Sequence, residues 1–92
     1  MVDKKQRKVL DDAIDRFGGT LQILMAIEEM SELTKELVKN MRHGDNHASI
    51  ADEVADVLIM MEQVMMLFGI EDTVKSNIDY KVNRLKERIN GQ

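Results

Sequence analysis

Apolar residues recur every three or four positions along nearly the whole chain, the period of an α-helix and not the alternation of a strand. Glycines divide this pattern into four predicted helices. The first runs from about Asp3 to Phe17, with Val2, Gln6, Val9, Leu10, Ala13, Ile14 and Phe17 along one narrow stripe, so it is expected on the outside of a bundle. Gly18-Gly19 ends it, because glycine takes the left-handed conformation past a helix end without strain. Thr20 is the expected N-cap of the second helix, which continues to about Met41 and should turn Ile23, Ala26, Ile27, Met30, Leu33, Leu37 and Met41 inward. A polar loop, Arg42 to His47, follows, and Ser49 with Asp52 three residues on reads as a capping box for the third helix. From Val54 to Phe68 only Asp56, Glu62 and Gln63 are strongly polar, so this helix needs covering from several directions, more than two outer helices of one chain supply. Gly69 ends it. The fourth helix runs from about Asp72 to just before Gly91, with Val74, Ile78, Val82, Leu85 and Ile89 spaced as a narrow coiled-coil seam.

Composition supports this reading. The chain has 92 residues, no proline and 3% aromatics, so nothing forbids long helices and little is present to fill a β-sandwich. One all-α domain spanning residues 1–92 is expected, with no internal repeat or linker. The absence of cysteine excludes disulfides, thiolate metal sites and cysteine catalysis. A net charge of −4 argues against nucleic acid or an anionic membrane as partner. No apolar run approaches the ~20 residues that span a bilayer, and the charged N-terminus lacks a signal peptide's apolar segment, so a cytoplasmic protein is expected.

The acidic residues change the picture. Glu28, Glu29, Glu32 and Glu36 crowd the second helix, and Glu28 and Glu29 lie four and three residues before Glu32, as surface neighbours. Any one of them fits an ordinary solvated face, with Glu32 pairing to Lys35. Glu29, however, falls at the edge of the predicted inward face. Glu53 and Asp56 form a second pair three apart, and Asp56 sits among Ala55, Val57, Leu58 and Ile59. A carboxylate in apolar surroundings is normally paired, protonated or bound to a metal. Two such pairs on consecutive antiparallel helices present four oxygen donors to a hard cation, which suits Mg²⁺ or Mn²⁺ better than zinc or copper. A di-iron carboxylate bundle requires Glu-x-x-His pairs, whereas His43 and His47 both lie in the predicted loop.

Glu28-Glu29-Met30-Ser31-Glu32 followed by Glu53-Val54-Ala55-Asp56 resembles the EExxE…ExxD signature of the MazG-like all-α nucleoside triphosphate pyrophosphohydrolases. The likeness runs from about Leu21 to the DYKVNRLKER segment near the C-terminus. It implies a four-helix MazG-like bundle, completed by oligomerisation as a homodimer or homotetramer, with the acidic site between the second and third helices. It further implies Mg²⁺-dependent hydrolysis between the α- and β-phosphates of a nucleoside triphosphate, giving a monophosphate and pyrophosphate. Carried over residue by residue, the metal ligands are Glu29, Glu32, Glu53 and Asp56, with Glu28 in support. A relative of phosphoribosyl-ATP pyrophosphohydrolase would share this chemistry.

Basic residues are the other half of a triphosphate site. Lys81, Arg84 and Arg88 form one stripe that reads either as phosphate contacts or as a solvated face paired with Glu87. Lys35 and Lys39 are further candidates, Tyr80 is a candidate to stack on a base and Asn83 to hydrogen-bond a base or sugar. The methionines of the third helix, with Met25 and Met30, read as packing. A non-catalytic helical interaction module is the competing reading, motivated by the seam of the fourth helix.

Overall fold

The computed structural model describes residues 1–91, which form four α-helices: α1 (Lys4–Phe17), α2 (Gly19–His43), α3 (His47–Phe68) and α4 (Glu71–Gly91). No strand occurs among the described residues, and none of the helices is long and apolar enough to cross a membrane.

Local chemistry accounts for the helix ends. Asp3 caps α1 through a reciprocal pair: its Oδ1 accepts from the Gln6 amide at 2.8 Å, and the Gln6 Oε1 accepts from the Asp3 amide at 2.9 Å. A single residue, Gly18, separates α1 from α2, and its φ of 90° is open to glycine alone at little cost. Gly18 is therefore the N-cap of α2, and Thr20 lies inside the helix. A Cβ at Gly19 would stand 3.0 Å from the Leu67 side chain, so α2 begins in close contact with the end of α3. The loop between α2 and α3 shrinks to Gly44–Asn46, and Asn46, not Ser49, is the N-cap residue of α3. The Asn46 side chain does not cap its own helix. It reaches back to α2, donating to the Glu36 carbonyl at 2.9 Å and Glu36 Oε1 at 3.0 Å while accepting from Asn40 at 2.9 Å.

The three-residue loop makes α2 and α3 an antiparallel hairpin, the main packed unit of the molecule. Its α2 strip differs from the sequence expectation. The covered positions are Gln22, Ala26, Glu29, Leu33, Glu36 and Asn40, a heptad series turned toward α3, whereas Ile27, Met30, Leu37 and Met41 face outward. Gln22, Glu36 and Asn40 take part in hydrogen bonds, and Ala26, 2% exposed, lets the helices approach closely. Ile27, Met30, Leu37 and Met41, predicted to face inward, therefore form an outer face, while Ile23, Ala26 and Leu33 are covered as predicted. Met60 is the other buried apolar side chain.

α1 lies on this hairpin, as its narrow stripe predicts, and two buried glutamines hold it there. Gln22 donates to the Ala13 carbonyl and Gln63 to the Leu10 carbonyl, at 3.4 and 3.0 Å. Arg7 adds ion pairs to Glu62 of α3, at 3.8 Å, and to Glu71 of α4. α4 meets the rest of the chain only through its first turn. Glu71 and Val74 are half-covered, and every residue from 75 to 91 is exposed. It projects from the hairpin and does not pack along it as a bundle helix would. The radius of gyration of 16.0 Å reflects that projection, since a compact chain of this length has a value of about 12 Å.

Candidate metal centre

Glu29 reaches the α2–α3 interface because it occupies the same heptad strip as Gln22 and Glu36, one step of seven from each. Glu53 and Asp56 lie one turn apart on the facing side of α3. The hairpin brings these three together: one carboxylate oxygen from each of Glu29, Glu53 and Asp56 lies within 4.8 Å of the others, and all three side chains are half-buried. They belong to the predicted set of four. The fourth, Glu32, is exposed and outside the trio, as is Glu28.

Electrostatics of the trio follow from this crowding. Partial burial raises the Glu29 carboxyl above the ordinary glutamate range, and repulsion from Asp56, together with a hydrogen bond to it, adds to the effect. Glu53 is likewise raised, first by burial and then by Asp56, with Asp52, Glu32 and Glu36 contributing. Glu28 and Glu32 are thus felt at the cluster, Glu28 by Glu29 and Glu32 by Glu53, although neither is part of it. Glu53 Oε2 is buried and has no hydrogen-bond partner. An acceptor hidden from water and left unmatched costs stability until a cation or proton meets it.

The predicted substrate contacts do not gather here. Lys35 is exposed on α2, one turn beyond Glu32, where it lines an open groove with Val38, Lys39, Arg42 and His43. Tyr80, Lys81, Asn83, Arg84 and Arg88 all lie on the exposed part of α4. There the Arg84 guanidinium sits 5.6 Å from the Tyr80 ring centroid, and Asn83 donates to Glu87 at 3.4 Å. Within one protomer none of these five meets the acidic cluster.

The polar tie of Glu36, Asn40 and Asn46 was not foreseen from sequence. It closes the loop end of the hairpin one heptad from Glu29. The heptad spacing of Gln22, Glu29 and Glu36 is the signal that foretells it, a polar series where an apolar one is expected.

Comparison with protein-family models, with curated proteins and with solved structures gave no match. The likeness to the MazG-like pyrophosphohydrolases rests on the two acidic motifs.

Proposed function

We propose that this protein is a divalent-cation-dependent nucleoside triphosphate pyrophosphohydrolase, with Glu29, Glu53 and Asp56 holding the cation and Glu32 joining them from the next turn of α2. The observation that carries this reading is the convergence of three half-buried carboxylates from two helices, one of them with an unmatched buried oxygen. The donor set is all oxygen, which fits Mg²⁺, with Mn²⁺ as substitute. When bound, the cation supplies positive charge that polarises phosphate oxygens and neutralises the leaving pyrophosphate.

The chain's own residues do the rest. Glu28, exposed beside Glu29 and outside the trio, orients the attacking water and takes its proton. The water oxygen bonds to the α-phosphorus, the bond from that phosphorus to the bridging oxygen breaks, and pyrophosphate departs with the electron pair. Lys35 offers a positive charge one turn from Glu32, where phosphate oxygens would lie. The role that follows is control of a nucleotide pool, and the protein works as a homodimer or homotetramer.

Replacing Glu53 by Gln, or Asp56 by Asn, is the direct test. Each should reduce Mg²⁺-dependent pyrophosphate release by more than the ~10–100-fold typical of losing a supporting residue, while circular dichroism stays helical. Full activity in both variants overturns the reading. A panel of nucleoside triphosphates that includes phosphoribosyl-ATP assigns the substrate within this chemistry. The exposed seam of α4 favours a second reading, a non-catalytic helical interaction module, which uniform inactivity across the panel together with a stable protein partner would establish.

A further inference from the structure

The most conspicuous feature outside the acidic site is a helix with almost nothing against it. Residues 75–91 of α4 are all exposed, including Ile78 at 54%, Val82 at 60%, Leu85 at 51% and Ile89 at 66%. These four, with Val74, form one stripe. An isolated helix of this length is marginal in water, and its stability normally comes from packing an apolar face. The chain as a whole also exposes too much surface. Its 7308 Å² exceeds the roughly 5,500 Å² of a compact monomer of this mass, an excess of roughly 1,800 Å². A standard interface takes about 800 Å² from each partner, so the surplus is large enough for a stable association.

Two properties of α4 identify the occupant. Its stripe is nearly symmetric about Val82: Ile78 lies four residues before and Leu85 three after, Val74 eight before and Ile89 seven after. Turned end for end, the stripe maps onto itself. Its charge is the opposite of symmetric. From Glu71 to Tyr80 there are three acids and one lysine, and from Lys81 to Gly91 four bases and one acid. A parallel pair of such helices sets like charge beside like. An antiparallel pair sets each basic half beside the other's acidic half.

We infer that α4 pairs antiparallel with the α4 of a second copy of this chain, about a two-fold axis passing close to Val82. Val82 then meets the partner's Val82, Ile78 meets the partner's Leu85, and Val74 meets the partner's Ile89. In this register Arg84 falls opposite the partner's Asp79, which supplies its counter-charge. The contact is isologous and closes at two copies, leaving the outer face of Ile27, Met30, Leu37 and Met41 for a tetramer. None of this depends on the enzymatic reading.

The chain has no cysteine, so single-cysteine variants report the geometry cleanly. Oxidation of Val82→Cys should give a covalent dimer on a denaturing gel. Val74→Cys alone and Ile89→Cys alone should not, because equivalent residues would lie about 24 Å and 21 Å apart along the axis, far beyond the ~7 Å that a disulfide spans. A mixture of the last two should cross-link. In sedimentation, Leu85→Glu should shift the dimer to monomer at least 10-fold more readily than wild type. Cross-linking of Val74→Cys by itself indicates a parallel pair and overturns the inference. So does a dimer in which Val82→Cys fails to cross-link, since the stripe then covers another surface, and so does a wild-type protein that sediments as a monomer at micromolar concentration.

Discussion

The α2–α3 hairpin and α4 are built from helices of similar length, yet they treat polar and apolar residues in opposite ways. The hairpin turns carboxylates, glutamines and an asparagine into its interface and leaves Ile27, Met30, Leu37 and Met41 outside. α4 keeps its apolar stripe in solvent and has no polar interior at all. The hairpin is stabilised locally, by a three-residue loop, the close approach at Ala26 and hydrogen bonds such as those of Asn46. α4 lacks such contacts after its first turn. The difference is that the hairpin gathers polar side chains between two helices of one chain, whereas α4 leaves an apolar face without a cover.

The same truncation in both regions separates them most sharply. Met60→Ala removes a buried side chain from the hairpin and should lower stability by about 2–3 kcal/mol in urea melts, whatever the protein concentration. Leu85→Ala should leave the dilute protein unchanged and alter only the concentration dependence of the melt. Equal, concentration-independent losses from both would dissolve the distinction.

Titration should also divide the two regions. Glu29 and Glu53 hold their protons more tightly folded than unfolded, because burial and Asp56 raise both carboxyls. Their contribution to the stability of the metal-free protein is therefore fully present at low pH and is lost as pH rises through the raised values. On the proposed reading a divalent cation displaces these protons, so Mg²⁺ should stabilise most where the carboxyls are ionised and least as pH falls through their raised values. Thermal melts in EDTA and in Mg²⁺ across this range check the sign. With Glu53→Gln, the difference between the two series should shrink; an undiminished difference places the cation elsewhere.

The smallest effect concerns the joint between the regions. Arg7 pairs with Glu62 and Glu71 at partly exposed positions, where solvent screens the charges, so Arg7→Ala should change stability least of these variants in urea melts. Faster amide exchange confined to the first turns of α4 would show that Arg7 fixes the angle at which α4 leaves the hairpin. Exchange accelerating throughout α2 and α3 would show instead that the joint supports the hairpin.

Much of this architecture is legible in the amino-acid sequence. Period, glycine placement and the absence of proline determine four helices, and the i, i+3 spacing of Glu53 and Asp56 places both acids on one helical face, because these are properties of neighbours along a chain. The caps were misplaced at Thr20 and Ser49, since Gly18 and Asn46 are chosen by how tightly the chain must turn between packed helices. Tertiary structure alone decided which side of α2 faces α3. A hydrophobic periodicity identifies an apolar face, but cannot say whether that face meets the same chain or a second copy. Only packing shows that Glu29 turns in toward Asp56 while Met30 turns out, because the contest between burying a methionine and gathering three carboxylates is settled by what lies across the interface.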